Sequence, residues 1–184
     1  MKIFYTLQGE KIGKGSSANQ LITKLARELT NKDISEDMIV RKQGKPFFKG
    51  RPIEFSLSHS KELWAIAFSL TPCGLDVQKR VDTRIDAIAG RYFSKEEYDK
   101  VKAQGEDAFF RIWTGKEALA KYEGTSIFST KTSLIEKAEY KRNVNINENN
   151  VYIYHKTIGN TYDVTLVTEE ENLCMDLIME AIEL

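Results

Sequence analysis

At 184 residues, 29% charged and 41% hydrophobic, the chain has an ordinary globular composition and enough length for one sizeable core or two small halves sharing one. Lysine plus arginine equals aspartate plus glutamate at 27 each, so no global charge points to nucleic acid or a membrane surface, and no apolar stretch approaches a membrane span. Cys73 and Cys174 lie far apart and read as free thiols, and with His59 and His155 the only histidines, any bound metal is expected to take oxygen ligands.

Residues 1–15 contain no apolar run followed by a small-residue cleavage site, so the expected location is cytoplasmic. Residues 2–8 are β-prone and are expected as a strand. Ser16 and Ser17 can cap a helix in which Leu21, Ile22, Leu25, Ala26 and Leu29 form one apolar face. A β-prone run at 38–41 leads to a Gly44-Lys45-Pro46 turn. Strand-like runs follow at 53–58, 63–69 and 73–78. In the middle one Trp64, Ile66 and Phe68 share a face while Ala65 and Ala67 share the other; two apolar faces make it a central strand.

Residues 82–92 have helical spacing through Ile85, Ile88 and Ala89. Ser94-Lys95-Glu96-Glu97 is a capping box opening a helix that ends by Gly105. A long helix is expected over 107–123, stopping at Gly124. Strands are expected at 151–155, 162–168 and 173–178, with Gly159-Asn160 as a hairpin turn. Helices and antiparallel-looking strands in groups indicate an α+β protein.

Three segments depart from plain folding rules. At about 100° per residue, Phe109, Ile112, Trp113, Leu119 and Ala120 form the apolar stripe of the long helix, with Lys116 in its middle and Glu117 at its edge. An ammonium buried there needs compensation, from an internal partner or from a bound anion. Glu117 and Lys121, four apart, can form a helix-surface pair, which leaves Lys116 unexplained. In Gly74-Leu75-Asp76-Val77-Gln78, Leu75 and Val77 point to one face and Asp76 and Gln78 to the other. Their oxygens can converge on one hard cation or line a solvated face. Phe55-Ser56-Leu57-Ser58-His59-Ser60 ends a strand in hydroxyls and an imidazole, groups that bond phosphate oxygens or serve the fold. Neither a GxxxxGK[ST] nor a GxGxxG loop occurs.

In order, Gly44-Lys45-Pro46, the Phe55–Ser60 run and the Gly74-to-Lys79 run resemble successive signatures of the 4'-phosphopantetheinyl transferase superfamily, surfactin-synthetase-activating type. Arg91-Tyr92-Phe93-Ser94-Lys95-Glu96-Glu97-Tyr98 and Trp113-Thr114-Gly115-Lys116-Glu117-Ala118-Leu119-Ala120-Lys121 complete the series. The resemblance implies two similar α+β halves, residues 1–70 and 71–184, related by a pseudo-twofold axis around a coenzyme A cleft. It implies transfer of the phosphopantetheine arm of coenzyme A to a serine of an acyl or peptidyl carrier protein.

By resemblance, Asp76 and Glu117 hold Mg2+, with Gln78 standing where the family often has a second carboxylate. Lys121 contacts a phosphate, and Lys116, whose partner would then be the ligand, lies beside the reacting phosphoryl group. Ser58 and His59 bind phosphates from the opposite wall, and Lys45 and Pro46 lie near the adenine. A basic residue for the 3'-phosphate is not evident in the N-terminal helix, so Lys14 or Lys11 takes that part. Glu117, directly or through a metal-bound water, is the expected base and Lys116 the expected catalytic cation. Lys79, Arg80, Arg84, Arg91, Lys95, Lys100 and Lys102, with Val81, Ile85 and Ile88 between them, form either a carrier-docking surface or, with the acids Asp82, Asp86, Glu96, Glu97 and Asp99 among them, an ordinary solvated face. A monomer suffices for such a two-half chain. The alternative is a non-catalytic coenzyme A or carrier-binding protein weakened by Gln78.

Overall fold

A computed structural model describes residues 1–13, 15–42, 45–129 and 132–184, with only the backbone for Arg41 and Lys42. Among these residues the elements in the first part of the chain are β1 (Lys2–Thr6), α1 (Ser16–Thr30), β2 (Ile39–Lys42), β3 (Lys45–Phe48), β4 (Glu54–Ser60), β5 (Leu63–Ser69) and β6 (Cys73–Lys79). Next come α2 (Ile85–Tyr92), α3 (Lys95–Gln104), α4 (Glu106–Glu123), β7 (Ile135–Glu136), β8 (Glu139–Tyr140) and β9 (Asn143–Ile146). The chain closes with β10 (Asn149–Ile158), β11 (Tyr162–Thr168), α5 (Met175–Ile178) and β12 (Met179–Ala181).

The strands make two main sheets, ordered β12-β1-β5-β4 and β6-β11-β10-β9. β5 is an inner strand with every residue buried, as its two apolar faces require. Its large face, Trp64, Ile66 and Phe68, packs with Ile22, Leu25 and Ala26 of α1. Its small face, Leu63, Ala65 and Ala67, meets Leu75, Val77, Val164 and Leu166 of the second sheet. α4 covers the other face of that second sheet, Ala118 and Leu119 packing with Val151 and Val167. A Cβ at position 74 would collide with the Ala118 carbonyl oxygen, so glycine lets α4 and β6 touch backbone to backbone.

The edges of the two sheets meet through a seam of serines. Ser56, Ser58 and Ser60, alternate residues of β4, accept the N–H groups of Leu75, Val77 and Lys79 at 2.9, 3.2 and 2.9 Å. Hydroxyls here take the place of a neighbouring strand's carbonyls and leave β6 no unpaired donors at those positions.

Local chemistry accounts for most boundaries. The capping box forms, Ser94 Oγ accepting from Glu97 N and Glu97 Oε2 from Ser94 N. Gly159 and Asn160 take φ of 57° and 53°, as a two-residue hairpin turn needs. Three expectations are corrected. The N-cap of α1 is Gly15 with no side-chain cap, so Ser16 and Ser17 belong to the first turn. Lys45 and Pro46 lie in β3, paired with β2, rather than in a turn, and Gly44 lies outside the described residues. Residues 173–178 are not a strand: α5 makes one turn there, and β12 then pairs in parallel with β1, Ile3 beside Met179. The C-terminal segment thus adds an edge to the sheet built by the N-terminal residues, a pairing that local periodicity does not carry. No helix among the described residues is long and apolar enough to cross a membrane.

Candidate active site

The C-terminal half of α4 and the strands β4 and β6 enclose a cleft of about 330 Å³ lined by Leu57, Ser58, His59, Asp76, Val77, Gln78, Trp113, Glu117 and Lys121. Asp76 and Gln78 reach it because the strand alternation that sends Leu75 and Val77 into the core sends them the other way. Glu117 and Lys121 reach it as an i, i+4 pair on one flank of the helix. His59 is exposed on its wall.

Within the cleft Lys121 Nζ donates to Asp76 Oδ1 at 2.8 Å, to Ser58 Oγ at 2.9 Å and to the Leu75 carbonyl at 3.0 Å. Ser58 also donates to Asp76 Oδ1 at 2.8 Å. A hydroxyl has one donor and two acceptor sites, so with the Val77 N–H included Ser58 is fully used inside the protein. It fixes Asp76 and Lys121 relative to each other; the contact to phosphates expected of it has no hydrogen-bonding capacity left in this arrangement.

The cleft is short of positive charge. Burial pushes the Asp76 carboxyl up, against the lowering effects of Lys121 and Ser58. Burial, and then the neighbouring Asp76, push Glu117 up as well, only partly offset by Lys121. Two carboxylates that disfavour each other's charge, with one ammonium between them, form a donor set that a small hard dication satisfies. Gln78 donates its amide nitrogen to the Lys79 carbonyl at 3.1 Å, which leaves the amide oxygen as its ligating atom. Among the described residues no three His, Cys, Asp or Glu side chains cluster at metal-binding spacing, so the protein's share of such a site is two carboxylates and an amide. The residues fit Mg2+, which commonly keeps several waters.

Lys116 does not line this cleft. Its ammonium, 3% exposed, pairs with the fully buried Glu97 at 3.1 Å and donates to the Thr132 carbonyl at 3.3 Å. Glu97 also accepts from the backbone of Ser94 and Leu134. The expectation that a ligand supplies the counter-charge of Lys116 is therefore corrected: the partner is internal, and the pair binds α4 to α3. A carboxylate with several donors compensates the buried ammonium where apolar neighbours alone would not.

Lys45 and Pro46 line a second groove with Ser56, Leu57, Lys121, Gly124 and Thr125, which shares Leu57 and Lys121 with the cleft. The Lys45 ammonium donates to the Cys73 and Lys121 carbonyls at 3.0 and 2.7 Å, and burial lowers its pKa. Lys14 lies outside the described residues, and Lys11 is exposed and bonded to Gln8.

Much of the expected docking surface is occupied internally. Lys79 pairs with Glu62, Arg80 with Asp107 and Asp163, and Lys102 with Asp86. Ile85 and Ile88 pack against the core around Phe109 and Ile112. Arg84, Arg91 and Lys95 stay exposed, with Val81 beside them in the chain.

Two groups near the site escape a reading of the sequence. Glu97 is visible there only as a cap, since a capping glutamate carries no sign of a distant lysine. Asp163 and Thr165, polar at alternate positions of a strand with Val164, Leu166 and Val167, carry the signal of a buried polar row, and they are fully buried beneath α4.

The sequence profile of the 4'-phosphopantetheinyl transferase superfamily matches residues 72–167, more than half of the chain and the part that carries Asp76, Gln78, Glu117 and Lys121. The 4'-phosphopantetheinyl transferase Sfp of Bacillus subtilis (strain 168) is 35% identical over 89 residues, 46% of this chain and 39% of the relative. The 4'-phosphopantetheinyl transferase AcpT of Salmonella typhimurium is 36% identical over 98 residues, 49% of this chain and 50% of the relative. The 4'-phosphopantetheinyl transferase HetI of Nostoc is 35% identical over 95 residues, 46% and 40%. The chain thus spans about half the length, or less, of these curated relatives. With a mixed α and β architecture and a match over more than half of its length, the chain belongs to the 4'-phosphopantetheinyl transferase superfamily.

Proposed function

We propose that the chain transfers 4'-phosphopantetheine from coenzyme A to a serine of an acyl or peptidyl carrier protein, releasing 3',5'-ADP. The observation that carries this reading is the charge-starved pair Asp76 and Glu117, facing one cleft from a strand and a helix within the segment shared with the superfamily. Asp76, Glu117 and the Gln78 amide hold Mg2+. When bound, the ion supplies positive charge to the pyrophosphate oxygens, where negative charge grows as the leaving phosphate departs.

The chain's own residues position and protonate. Lys121, whose three N–H donors go to Asp76, Ser58 and the Leu75 carbonyl, gives up one of these bonds to meet a phosphate in the cleft. His59 meets phosphate oxygens from the β4 wall, and Lys45 and Pro46 border the groove toward the adenine. Lys14 or Lys11 serves the 3'-phosphate. Glu117 takes the proton of the carrier serine as its oxygen bonds to the β-phosphorus and the bridging oxygen leaves with 3',5'-ADP. Lys116, engaged by Glu97, anchors α4 and so steadies Glu117 rather than touching the phosphoryl group. Arg84, Arg91, Lys95 and Val81 remain for an acidic carrier.

Two similar halves, 1–70 and 71–184, related by a pseudo-twofold axis, belong to this reading. Its support is a main sheet with a covering helix in each, β1, β5 and β4 under α1 in one, with β12 added to their edge from the other, and β6, β11, β10 and β9 under α4 in the second, joined along the serine seam. A monomer in the cytoplasm completes it.

The test is the intact mass of apo acyl and peptidyl carrier proteins incubated with the chain, Mg2+ and coenzyme A. The expected result is a gain of one phosphopantetheine group with stoichiometric release of 3',5'-ADP. Coenzyme A binding without any mass gain across the carrier panel would replace the transferase with a binding protein.

A further inference from the structure

α4 rests on the second sheet through two different surfaces. Under its C-terminal half lie Val151 and Val167; under its N-terminal half the sheet face is polar. The strand registers set Asp76 of β6 beside Thr165 of β11, and Thr165 beside His155 of β10. Thr165 Oγ1 lies 2.8 Å from Thr114 Oγ1 on α4 and 3.0 Å from His155 Nδ1. His155 Nε2 lies 3.1 Å from Asp163 Oδ1, and Asp163 accepts from Arg80 Nε at 2.7 Å and Nη2 at 3.1 Å.

Asp163, His155 and Thr165 are the residue types, in the order, of a relay that activates a hydroxyl nucleophile. Thr165 cannot act as one: it is 0% exposed, and Thr114 meets its hydroxyl on the far side. What the network reaches is the geometry of the cleft. Asp76 rides on β6 and Glu117 on α4, and two of the contacts that seat α4 on this sheet lie one helical turn apart. One is Gly74 against Ala118. The other is Thr165, beside Asp76, against Thr114, three residues before Glu117.

We propose that Thr165, backed by His155, Asp163 and Arg80, is a positioning residue that sets Glu117 on α4 against Asp76 on β6 for cation binding, an inference that rests on the Mg2+ reading of the cleft. The hydroxyl pair contributes little that an apolar contact would not contribute to stability alone. It does fix the azimuth and height of α4 over the strand that bears Asp76. Groups hydrogen-bonded to metal ligands typically change metal affinity by about 10–100-fold when removed; Thr165 acts through Thr114 and the strand pairing instead, so its effect is set at the low end of that range.

The experiment is a titration of the full chain with Mn2+ alone, read by the electron paramagnetic resonance signal of free Mn2+, beside carrier modification at each Mg2+ concentration. Thr165→Val removes both hydrogen bonds at nearly constant size and is expected to weaken Mn2+ binding about tenfold, with Thr165→Ser restoring most of it. Thr114→Ala removes the helix side of the bond with a good helix former and is expected to match Thr165→Val, which keeps the test alive if the strand variant folds poorly. Val151→Ala, in the same layer under the other half of α4, is expected to lower the unfolding midpoint and leave Mn2+ affinity unchanged. Equal Mn2+ affinity in the parent, Thr165→Val and Thr114→Ala overturns the positioning role and leaves the transferase reading standing. Loss of affinity in Val151→Ala as large as in Thr165→Val also overturns it, since general loosening then explains both. If the parent binds Mn2+ no better than Asp76→Asn, the cleft reading itself fails, and this inference with it.

Discussion

Two aspartates face the same side of one sheet from neighbouring strands, and their surroundings drive them in opposite directions. Asp76 has one ammonium and one hydroxyl beside it, and burial still pushes its carboxyl up. Asp163 is buried more completely, which by itself would raise it too. Yet the hydrogen bonds from His155 and Arg80 outweigh burial and hold it below its ordinary value. One carboxylate is left short of positive charge at an open cleft; the other is neutralised inside the core. Two lysines on α4 repeat the contrast, Lys116 closed off by Glu97 in the core and Lys121 left partly exposed at the cleft beside Asp76. The lesson is that burial alone does not mark a functional charge. Incomplete compensation next to open space does.

The largest effects should come from removing each kind of charge. Asp76→Asn and Glu117→Gln are expected to abolish carrier modification while leaving the unfolding midpoint at or above that of the parent, because both changes relieve a mutual repulsion. Asp163→Ala is expected to destabilise the chain by about 3–5 kcal/mol, as deletions from buried ion pairs do, leaving the Arg80 guanidinium and His155 without their shared acceptor. Urea unfolding and carrier mass, measured on all three, check this. Greater destabilisation in Asp76→Asn than in Asp163→Ala would reverse the contrast.

A smaller effect, of opposite sign at the two sites, should appear in the pH dependence of stability. Asp163 ionises more readily folded than unfolded, so its contribution is present above the ordinary aspartate value of 3.8 and is lost as pH falls through the lowered folded value. Asp76 and Glu117 ionise less readily folded. Their ionisation opposes folding, so stability falls as pH rises from ordinary values of 3.8 and 4.5 through the raised ones. Asp76→Asn should therefore gain on the parent with rising pH across that window, and saturating Mg2+ should erase the gain. The penalty of Asp163→Ala should shrink as the solution is acidified. Parallel curves for the parent and both variants would remove the electrostatic distinction.

The smallest expected effect belongs to Gln78. Gln78→Glu adds charge beside the cation and should lower the Mg2+ concentration needed for transfer. Gln78→Ala should raise it with only a moderate loss of rate, since water can fill the ligand position. An Mg2+ titration of carrier modification separates the cases. If Gln78→Ala is as inactive at saturating Mg2+ as Glu117→Gln, the amide has a direct role; one Mg2+ dependence shared by all three proteins would detach Gln78 from the metal.

Much of the cleft is legible in the amino-acid sequence itself. Strand alternation puts Asp76 and Gln78 on one face, and helical spacing puts Lys116 inside the apolar stripe and Glu117 at its edge; the structure has both arrangements. The Ser94 capping box and the Gly159-Asn160 turn form for the same local reasons. Where local spacing misleads, the deciding contact comes from elsewhere in the chain. Lys45 and Pro46 form a strand because β2 is there to pair with it. The run expected as a strand at 173–178 holds the turn of α5, and the strand comes after it, at β12, where β1 is there to pair with it.

What the sequence by itself determined are the directions in which side chains leave the backbone, because a helix turns by about 100° per residue and a strand alternates whatever surrounds them. It also determined that Lys116 must have a partner, since a buried ammonium cannot stay uncompensated. Which partner was decided only by tertiary structure. Glu97 answers Lys116 across 19 residues of chain, Ser58 saturates itself on Val77, Asp76 and Lys121, and Thr165 finds Thr114 across 51. Hydrogen bonds and ion pairs act over a few ångströms of space, and the path of the chain, not the spacing of residues along it, decides which groups come that close.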